Sequence, residues 1–226
     1  MTKLTYYGHS CFLVEGAGKK ILIDPFITDN PLSPVKKEQL SPDYIVVTHG
    51  HADHLGDSVE IAKSSGATVI SNFEIATYVE KQGCNMHPLH IGGGAQFDFG
   101  RAKLTIAHHG SCLPDGSYGG NPAGVVLEID GKRIYHAGDT ALFYDMKLIG
   151  QRKVDVALLP IGDNFTMGPE DALEAVKLIR PTVVIPMHYN TFDIVKQDPA
   201  TFKASVEKNT KSTCVVLKPG ATYELP

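Results

Sequence analysis

The chain has 226 residues, a length at which one α/β domain can bury a substantial core without disulfides. Its net charge of −4 offers no broad basic face for a nucleic-acid backbone, so nucleic acid is not an expected partner. The longest apolar runs, such as VALLPI, are far shorter than the roughly 20 residues that span a bilayer, and the chain start lacks the apolar core of a signal peptide. We therefore expect a single cytoplasmic domain over residues 1–226 that does not enter a membrane.

The first half of the chain is predicted to open with three short strands. The stretches LTYYG, CFLVE and ILIDP alternate in polarity, and the Gly-rich turn GAGKK joins the last two as a hairpin. After a Pro-rich loop, the run YIVVT is typical of a strand that is buried on both faces. HLGDSVEIAKSSG then predicts a helix, ATVIS a strand, and NFEIATYVEKQG a helix with Asn72 as its N-cap and Gly83 as its stop.

The second half repeats this order. The middle segment, MHPLHIGGGAQFDFGRAKLTIAHHG, is predicted to form antiparallel strands with a tight glycine turn. Beyond it, AGVVLEI, DGKR and IYHAGD match CFLVE, GAGKK and ILID in pattern, and VDVALLPIG parallels PDYIVVTHG. The helix PEDALEAVKLIR and the strand in PTVVIPMHYN complete the repeat. The pattern predicts two similar halves that face each other, with gene duplication as a hypothesis.

Polar residues follow the predicted strands at their carboxyl ends, where ligands collect in parallel α/β sheets. These residues are Asp24, His49, His109, Asp139, Asp163 and His188. They are therefore expected to line a shared cleft.

The stretch THGHADH, residues 48–54, has the composition of a metal site. The strand periodicity of two points His49 and His51 to one side, Asp53 can continue that line, and His54 can turn to a second point. A single zinc ion that keeps an open position needs only three protein ligands, so the motif has too many ligands for one such ion and too few for two.

Other strand ends offer the missing ligands. IAHHG contains His108 and His109, GDT contains Asp139, and PMHYN contains His188. A carboxylate can bridge two cations at about 3.5–4 Å, the separation found in two-metal hydrolases, and Asp139 is the natural bridge.

With these motifs the chain resembles the metallo-β-lactamase superfamily, whose HxHxDH motif stands here as His49, His51, Asp53 and His54. The flanking stretches GHSCFLVE, YHAGDTALF, LLPIGDNFTMGPEDA and PMHYNTF are similar to a family of small metal-dependent hydrolases of undetermined physiological role. That family is related to the ascorbate-6-phosphate lactonase-like branch, and the similarity extends from about Leu4 to the C-terminus.

The resemblance implies a four-layer αββα sandwich with two mixed β-sheets. It implies that His49, His51 and His109 form site one, that Asp53, His54 and His188 form site two, and that Asp139 bridges them. The choice of His109 over His108 follows the family's pattern of alanine, any residue and histidine, which Ala107, His108 and His109 match.

The function that we expect is hydrolysis by a metal-bound hydroxide at this dinuclear site, with Asp53 as the catalytic residue that relays a proton to the leaving group. The substrate is expected to be a lactone, ester or amide of a small metabolite. A phosphodiesterase or nuclease-type hydrolase is the alternative, and a non-catalytic metal-binding protein of the same fold is another. Two zinc ions are expected, with Mn, Fe, Co or Ni also compatible, and a homo-oligomer is left open.

Four further residues are candidates for contacts with the substrate or with the ligands: His9, Asp24, His136 and Asn164. His9 and Asn164 are possible donors to the charge of the transition state. Asp24 and His136 are candidate partners of the ligating imidazoles, which usually bond an oxygen through the second ring nitrogen. Asp57, next to the motif, is expected to be an early helix residue.

Overall fold

The computed structural model describes residues 1–226, which form fourteen strands and six α-helices. The strands are β1 (Lys3–Tyr6), β2 (Phe12–Gly16), β3 (Lys19–Ile23), β4 (Tyr44–Val46), β5 (Thr68–Asn72), β6 (Asn85–Leu89), β7 (Gly94–Phe97), β8 (Gly100–Ile106), β9 (Ala123–Ile129), β10 (Lys132–His136), β11 (Val156–Pro160), β12 (Val183–Met187), β13 (Thr213–Cys214) and β14 (Thr222–Glu224). The helices are α1 (Ala52–Leu55), α2 (Ser58–Ser65), α3 (Phe73–Lys81), α4 (Met146–Ile149), α5 (Pro169–Ile179) and α6 (Pro199–Asn209).

The strands form two seven-stranded mixed sheets with the same topology. The first sheet has the order β14-β1-β2-β3-β4-β5-β6, and the second, read from its opposite end, has the order β7-β8-β9-β10-β11-β12-β13. In each order the first three pairings are antiparallel and the last three are parallel. The two halves predicted from the sequence pattern therefore correspond to two topologically equivalent sheets.

The sheets pack face to face, with helices on both outer surfaces. Because successive side chains of a strand point to opposite faces, Ile21 and Ile23 enter the core between the sheets, whereas Leu22 packs under the helices of the first half. The central core contains 24 buried residues drawn from both sheets. Two outer cores of 19 and 16 buried residues lie under the helices. The predicted four-layer αββα sandwich is confirmed.

The prediction for the middle segment was wrong in one respect. The stretch NMHPL forms β6, which pairs in parallel with β5 in the first sheet, and of the predicted antiparallel strands only β7 and β8 form a hairpin, in the second sheet. Helix α3 returns the chain to the end of the sheet at which β5 begins, so β6 runs in the same direction as β5. The alternation of polar and apolar residues in a strand does not indicate the direction in which the strand pairs.

The predicted helix in HLGDSVEIAKSSG is broken in two at Gly56. This residue has φ of 43°, and a Cβ at its position would collide with the carbonyl oxygen of Pro25. Asp57 precedes α2, and its carboxylate accepts hydrogen bonds from the backbone N–H groups of Ile27 and Thr28. The break therefore ties the start of α2 to the loop that follows β3.

The other predicted helix ends are confirmed. Asn72 caps α3 by accepting a hydrogen bond from the N–H of Ile75 at 2.9 Å, and Gly83 follows the helix with φ of 86°. None of the helices combines the length and the apolar character needed to cross a membrane.

Candidate metal centre

Ten side chains gather where β3, β4, β8, β10 and β12 end. His9 lies before β2, and the chain segments after the named strands supply Asp24, His49, His51, Asp53, His54, His109, Asp139 and His188, with His136 at the end of β10. All are buried except His51, Asp53 and His109, which are partly exposed. The sheet edge that the strand pattern predicted is therefore the place where these side chains meet.

One group consists of His49, His51 and His109, whose ring nitrogens lie within 4.8 Å of one another. The Nε2 atom of His49 is 3.0 Å from Nδ1 of His51, and the ring of His109 is centred 5.0 Å from that of His49. His108, by contrast, is exposed and packs edge-on against Phe143. The structure thus brings the second histidine of IAHHG to the cluster and turns the first away from it.

The second group consists of Asp53, His54 and His188, and it also includes His9. The sequence did not predict that His9 lies so close: its Nε2 is 3.0 Å from Oδ2 of Asp53, and its Nδ1 is 2.9 Å from the hydroxyl of Thr191. Thr191 was missed altogether, and the only signal for it was its position three residues after His188.

Asp139 lies between the two groups and is 3% exposed. Its Oδ1 is 3.2 Å from Nε2 of His54, while its Oδ2 is 3.0 Å from Nε2 of His188 and 3.6 Å from Nε2 of His109. Its carboxylate therefore faces ring nitrogens of both groups, as a bridging ligand requires.

The donor atoms around Asp139 fit a divalent cation. The buried atoms Nε2 of His54, Oδ1 of Asp139 and Nε2 of His188 lie within 3.0–3.2 Å of atoms of one another's side chains, yet they form no hydrogen bond of good geometry. Leaving a buried polar atom unpaired costs about 1–3 kcal/mol, so several together need another partner. Imidazole nitrogens and carboxylate oxygens are the ligands that zinc and similar cations bind.

The electrostatics of the cluster favour the forms that bind metals. Burial lowers the pKa of His49 well below its ordinary value and also lowers the pKa of His109, so both rings are neutral. Burial would raise the pKa of Asp139, but His188 and His54 hold it well below its usual range. Metal ligation requires neutral histidine and ionised carboxylate, so these residues are in the appropriate state.

His54 differs because two carboxylates surround it. Burial lowers its pKa, but the charges of Asp139 and Asp24 outweigh burial and raise the pKa well above the ordinary value. A proton on Nε2 occupies the place that a cation bound to this nitrogen would take, so cation binding is expected to displace it.

Asp24 positions His54. Its buried carboxylate accepts hydrogen bonds from the backbone N–H of Thr48 at 2.8 Å, from the hydroxyl of Thr48 at 2.7 Å and from Nδ1 of His54 at 2.7 Å. With Nδ1 held in this way, Nε2 of His54 is directed at Asp139.

His136 and Asn164 occupy other environments. The Nε2 of buried His136 donates to the carbonyl of Ser10 at 2.9 Å, and its Nδ1 accepts from the N–H of Gly138 at 3.1 Å. His136 therefore links the segment that carries His9 to the turn before Asp139. Asn164 is exposed in the loop after β11, with φ of 42°.

Two stacked mixed sheets with a histidine and aspartate cluster at one edge define the class of protein as the metal-dependent hydrolases of the β-lactamase superfamily. A family model described as "Beta-lactamase superfamily domain" matches residues 3–188. The chain is 54% identical over 228 residues to the UPF0173 metal-dependent hydrolase of Pelotomaculum thermopropionicum, covering 99% of this chain and 100% of the relative. It is 53% identical over 229 residues to one from Bacillus cereus, with the same coverage.

A solved structure supports the same assignment. Igni18, described as a novel metallo hydrolase from the hyperthermophilic archaeon Ignicoccus hospitalis, superposes with a TM-score of 0.90 at 43% identity and covers 100% of this chain and 99% of its own. The chain belongs to the UPF0173 metal-dependent hydrolases of the β-lactamase superfamily. The resemblance drawn from the sequence motifs is confirmed, and so is the class of enzyme.

Proposed function

We propose that this protein binds two divalent metal ions and hydrolyses a lactone, ester or amide bond in a small metabolite. The observation that carries the proposal is the buried carboxylate of Asp139, which faces ring nitrogens of both groups of histidines at 3.0–3.6 Å without a hydrogen bond of good geometry at its Oδ1. In this assignment His49, His51 and His109 hold one ion, Asp53, His54 and His188 hold the other, and Asp139 is shared.

Divalent cations in such a site lower the pKa of water toward neutrality and polarise the bond that is attacked. We expect zinc because a set of three imidazoles with an open position suits it, and Mn, Fe, Co or Ni remain compatible with this donor set.

Asp53 is the carboxylate of the cluster that can exchange protons with a substrate. Its side chain is 32% exposed, against 3% for Asp139, and one of its oxygens is held by Nε2 of His9. Burial would raise the pKa of Asp53, but the hydrogen bond from His9 holds it below the usual range. An ionised, accessible carboxylate can accept a proton and pass it to the leaving group.

The surroundings favour an acyl centre over a phosphoryl centre. No lysine or arginine is an ion-pair or hydrogen-bond partner of the seven proposed ligands. Enzymes that transfer phosphoryl groups commonly place such cations, in addition to metal ions, against the charge of the transferred group. No such cation pairs with the ligands here, which suits a neutral carbonyl substrate.

The test combines metal analysis with a substrate panel. Purified protein is expected to contain two metal ions per chain, and chelation followed by metal addition should abolish and restore turnover of lactones, esters or amides, while phosphodiesters are cleaved poorly. Asp139→Ala should lose metal and activity together, and Asp145→Ala, which removes an exposed aspartate at the start of α4, should retain both.

Three outcomes would count against the proposal. An Asp139→Ala protein with full metal content and full activity would refute the assignment of the bridging ligand. Turnover confined to phosphodiesters would refute the substrate class. Full metal content without turnover of any class would indicate a metal-binding protein without catalysis.

A further inference from the structure

The loop that follows β12 exposes two large apolar side chains. Phe192 is 43% exposed and Ile194 58%. Strand β12 ends directly before His188, so the loop with Phe192 and Ile194 begins at the cluster.

Phe192 and Phe26 form an aromatic wall against His9, in which Phe192 is the exposed ring and Phe26, 7% exposed, is its buried neighbour. Their ring centroids are 6.3 Å apart, and both rings pack edge-on against the imidazole of His9, at 5.9 Å for Phe192 and 5.5 Å for Phe26. The same imidazole contacts the Asp53 carboxylate at 3.0 Å through Nε2. The aromatic wall is thus separated from the proposed proton-transferring carboxylate by a single ring.

The loop that carries Phe192 is held in place by its neighbours. The Thr191 hydroxyl is 2.9 Å from Nδ1 of His9, and the N–H of Asn190 donates to the carbonyl of Val195 at 2.9 Å. The N–H of Gln197 donates to Oδ1 of Asn190 at 2.8 Å, and Val195 is buried. A surface ordered in this way loses little conformational entropy when a ligand binds to it.

We propose that the aromatic wall binds an apolar part of the substrate, so that preferred substrates carry an alkyl or aryl group next to the bond that is cleaved. The inference rests on the proposed function and names the substrate class more narrowly. The accessible surface of the wall is the aromatic carbon of Phe192, and the packing of this ring on His9 places it one ring away from the Asp53 carboxylate. An apolar group placed there is removed from water while the adjoining carbonyl reaches the cluster.

The experiment measures the binding of product-like acids and does not depend on turnover. Acetate, propanoate, butanoate and pentanoate are titrated by calorimetry into the metal-loaded protein. Because complete burial of a methylene group is worth about fourfold in affinity, affinity should rise roughly two- to fourfold with each added methylene. Phe192→Ala should remove most of this dependence on chain length, whereas Phe192→Leu should retain much of it.

Leu148→Ala is the matched control, since it removes another exposed apolar side chain, 58% exposed, on α4. It should show the same dependence on chain length as the unmodified protein, and all variants should keep their metal content. Equal affinity for the four acids, or an undiminished dependence in Phe192→Ala, would overturn the inference while leaving the proposed function in place. Absence of binding by all four acids together with absence of acyl turnover would overturn both.

A second copy of this chain is the competing occupant of the wall. Sedimentation velocity on the same proteins shows whether the chain forms a dimer through the aromatic wall. A dimer that dissociates in Phe192→Ala, with no change in affinity for the acids, would also overturn the inference.

Discussion

The three buried or partly buried aspartates of the centre show how surroundings divide one residue type into different roles. Asp24 is bonded on all sides by Thr48 and His54, and Asp139 is enclosed by histidine nitrogens. Asp53 alone is both bonded to His9 and open to solvent. We therefore assign orientation to Asp24, metal bridging to Asp139, and metal binding with proton transfer to Asp53.

Adjacent histidines provide a matched pair of variants at the residue scale. His109→Ala is expected to lower metal content and to reduce turnover by roughly two orders of magnitude or more, because an imidazole ligand is removed from the first group. His108→Ala should change both by less than about twofold, since its ring is exposed and packs on Phe143. Metal analysis and steady-state kinetics distinguish them, and the opposite ranking would show that His108 is the ligand.

Asp24→Asn tests the positioning of His54. The change keeps the size of the side chain but weakens the bond to Nδ1, so metal affinity should fall roughly 10- to 100-fold. Competition with a chromogenic chelator measures this affinity. Asp29→Asn, at an exposed position nearby in sequence, is the control and should bind metal normally. Unchanged affinity in Asp24→Asn would show that the bond to His54 is dispensable.

At the scale of elements, the break between α1 and α2 places the HxHxDH motif. Helix α1 contains Asp53 and His54, and it ends at Gly56, where the chain passes close to Pro25. Asp57 then fastens this junction through Ile27, Thr28 and Lys37. The orientation of α1, and with it the direction of both ligands, is therefore maintained by residues that bind no metal.

Asp57→Asn is expected to lower the free energy of unfolding by about 1–2 kcal/mol at neutral pH, since charge-assisted hydrogen bonds are lost. Burial alone would raise the pKa of Asp57, but the bonds from Thr28 and Lys37 outweigh burial and lower it. Because the pKa of Asp57 is lower in the folded protein than in the unfolded chain, its ionised carboxylate stabilises the fold fully above the unfolded pKa of about 3.9. This stabilisation is lost as the pH falls through the folded pKa.

Denaturant unfolding at neutral and acidic pH checks this prediction. The difference between the two proteins should be largest at neutral pH and should shrink on acidification. Glu60→Gln, an exposed acid on the same helix, should show no such difference. A constant difference at every pH would mean that the charge of Asp57 does not contribute.

At the scale of the whole molecule, the two equivalent sheets explain how the centre is built from both halves. The first half supplies the HxHxDH residues and Asp24, and the second supplies His109, Asp139 and His188. Contacts across the sheets join them: the backbone N–H of His188 donates to the carbonyl of His9 at 2.7 Å, and His136 donates to Ser10. Neither half alone presents the complete set of donors.

The cysteines test the packing of the whole chain. Cys11, Cys84 and Cys214 are buried, and Cys112 is exposed. Burial raises the pKa of Cys11 well above its ordinary value and that of Cys214 to about 12, so their reactive thiolates are absent near neutral pH. A chromogenic thiol reagent should therefore modify one thiol in the native protein and four after denaturation.

Cys112→Ser should abolish the reaction of the native protein and leave three reactive thiols after denaturation. Rapid modification of a second thiol in the native protein would contradict the burial of Cys11, Cys84 and Cys214.

Local pattern alone predicted much of this protein. The alternation of polarity located most strands, Asn72 and Gly83 marked the ends of α3, and the HxHxDH motif with its distant partners predicted which ligands would meet. These features depend on neighbours within a few positions in the chain or on a specific combination of motifs, so they are readable without coordinates.

The tertiary structure decided the features that depend on distant contacts. Strand periodicity sends His108 and His109 to opposite faces, but only the position of the second sheet relative to the first decides which face meets the cluster. His9 and Thr191 are 182 positions apart, so nothing local predicted their hydrogen bond or the placement of Phe192 against the ring of His9. The sequence by itself determined which histidines and aspartates are the candidate ligands, whereas packing of the two sheets decided what surrounds them, because surroundings arise from residues that only folding brings together.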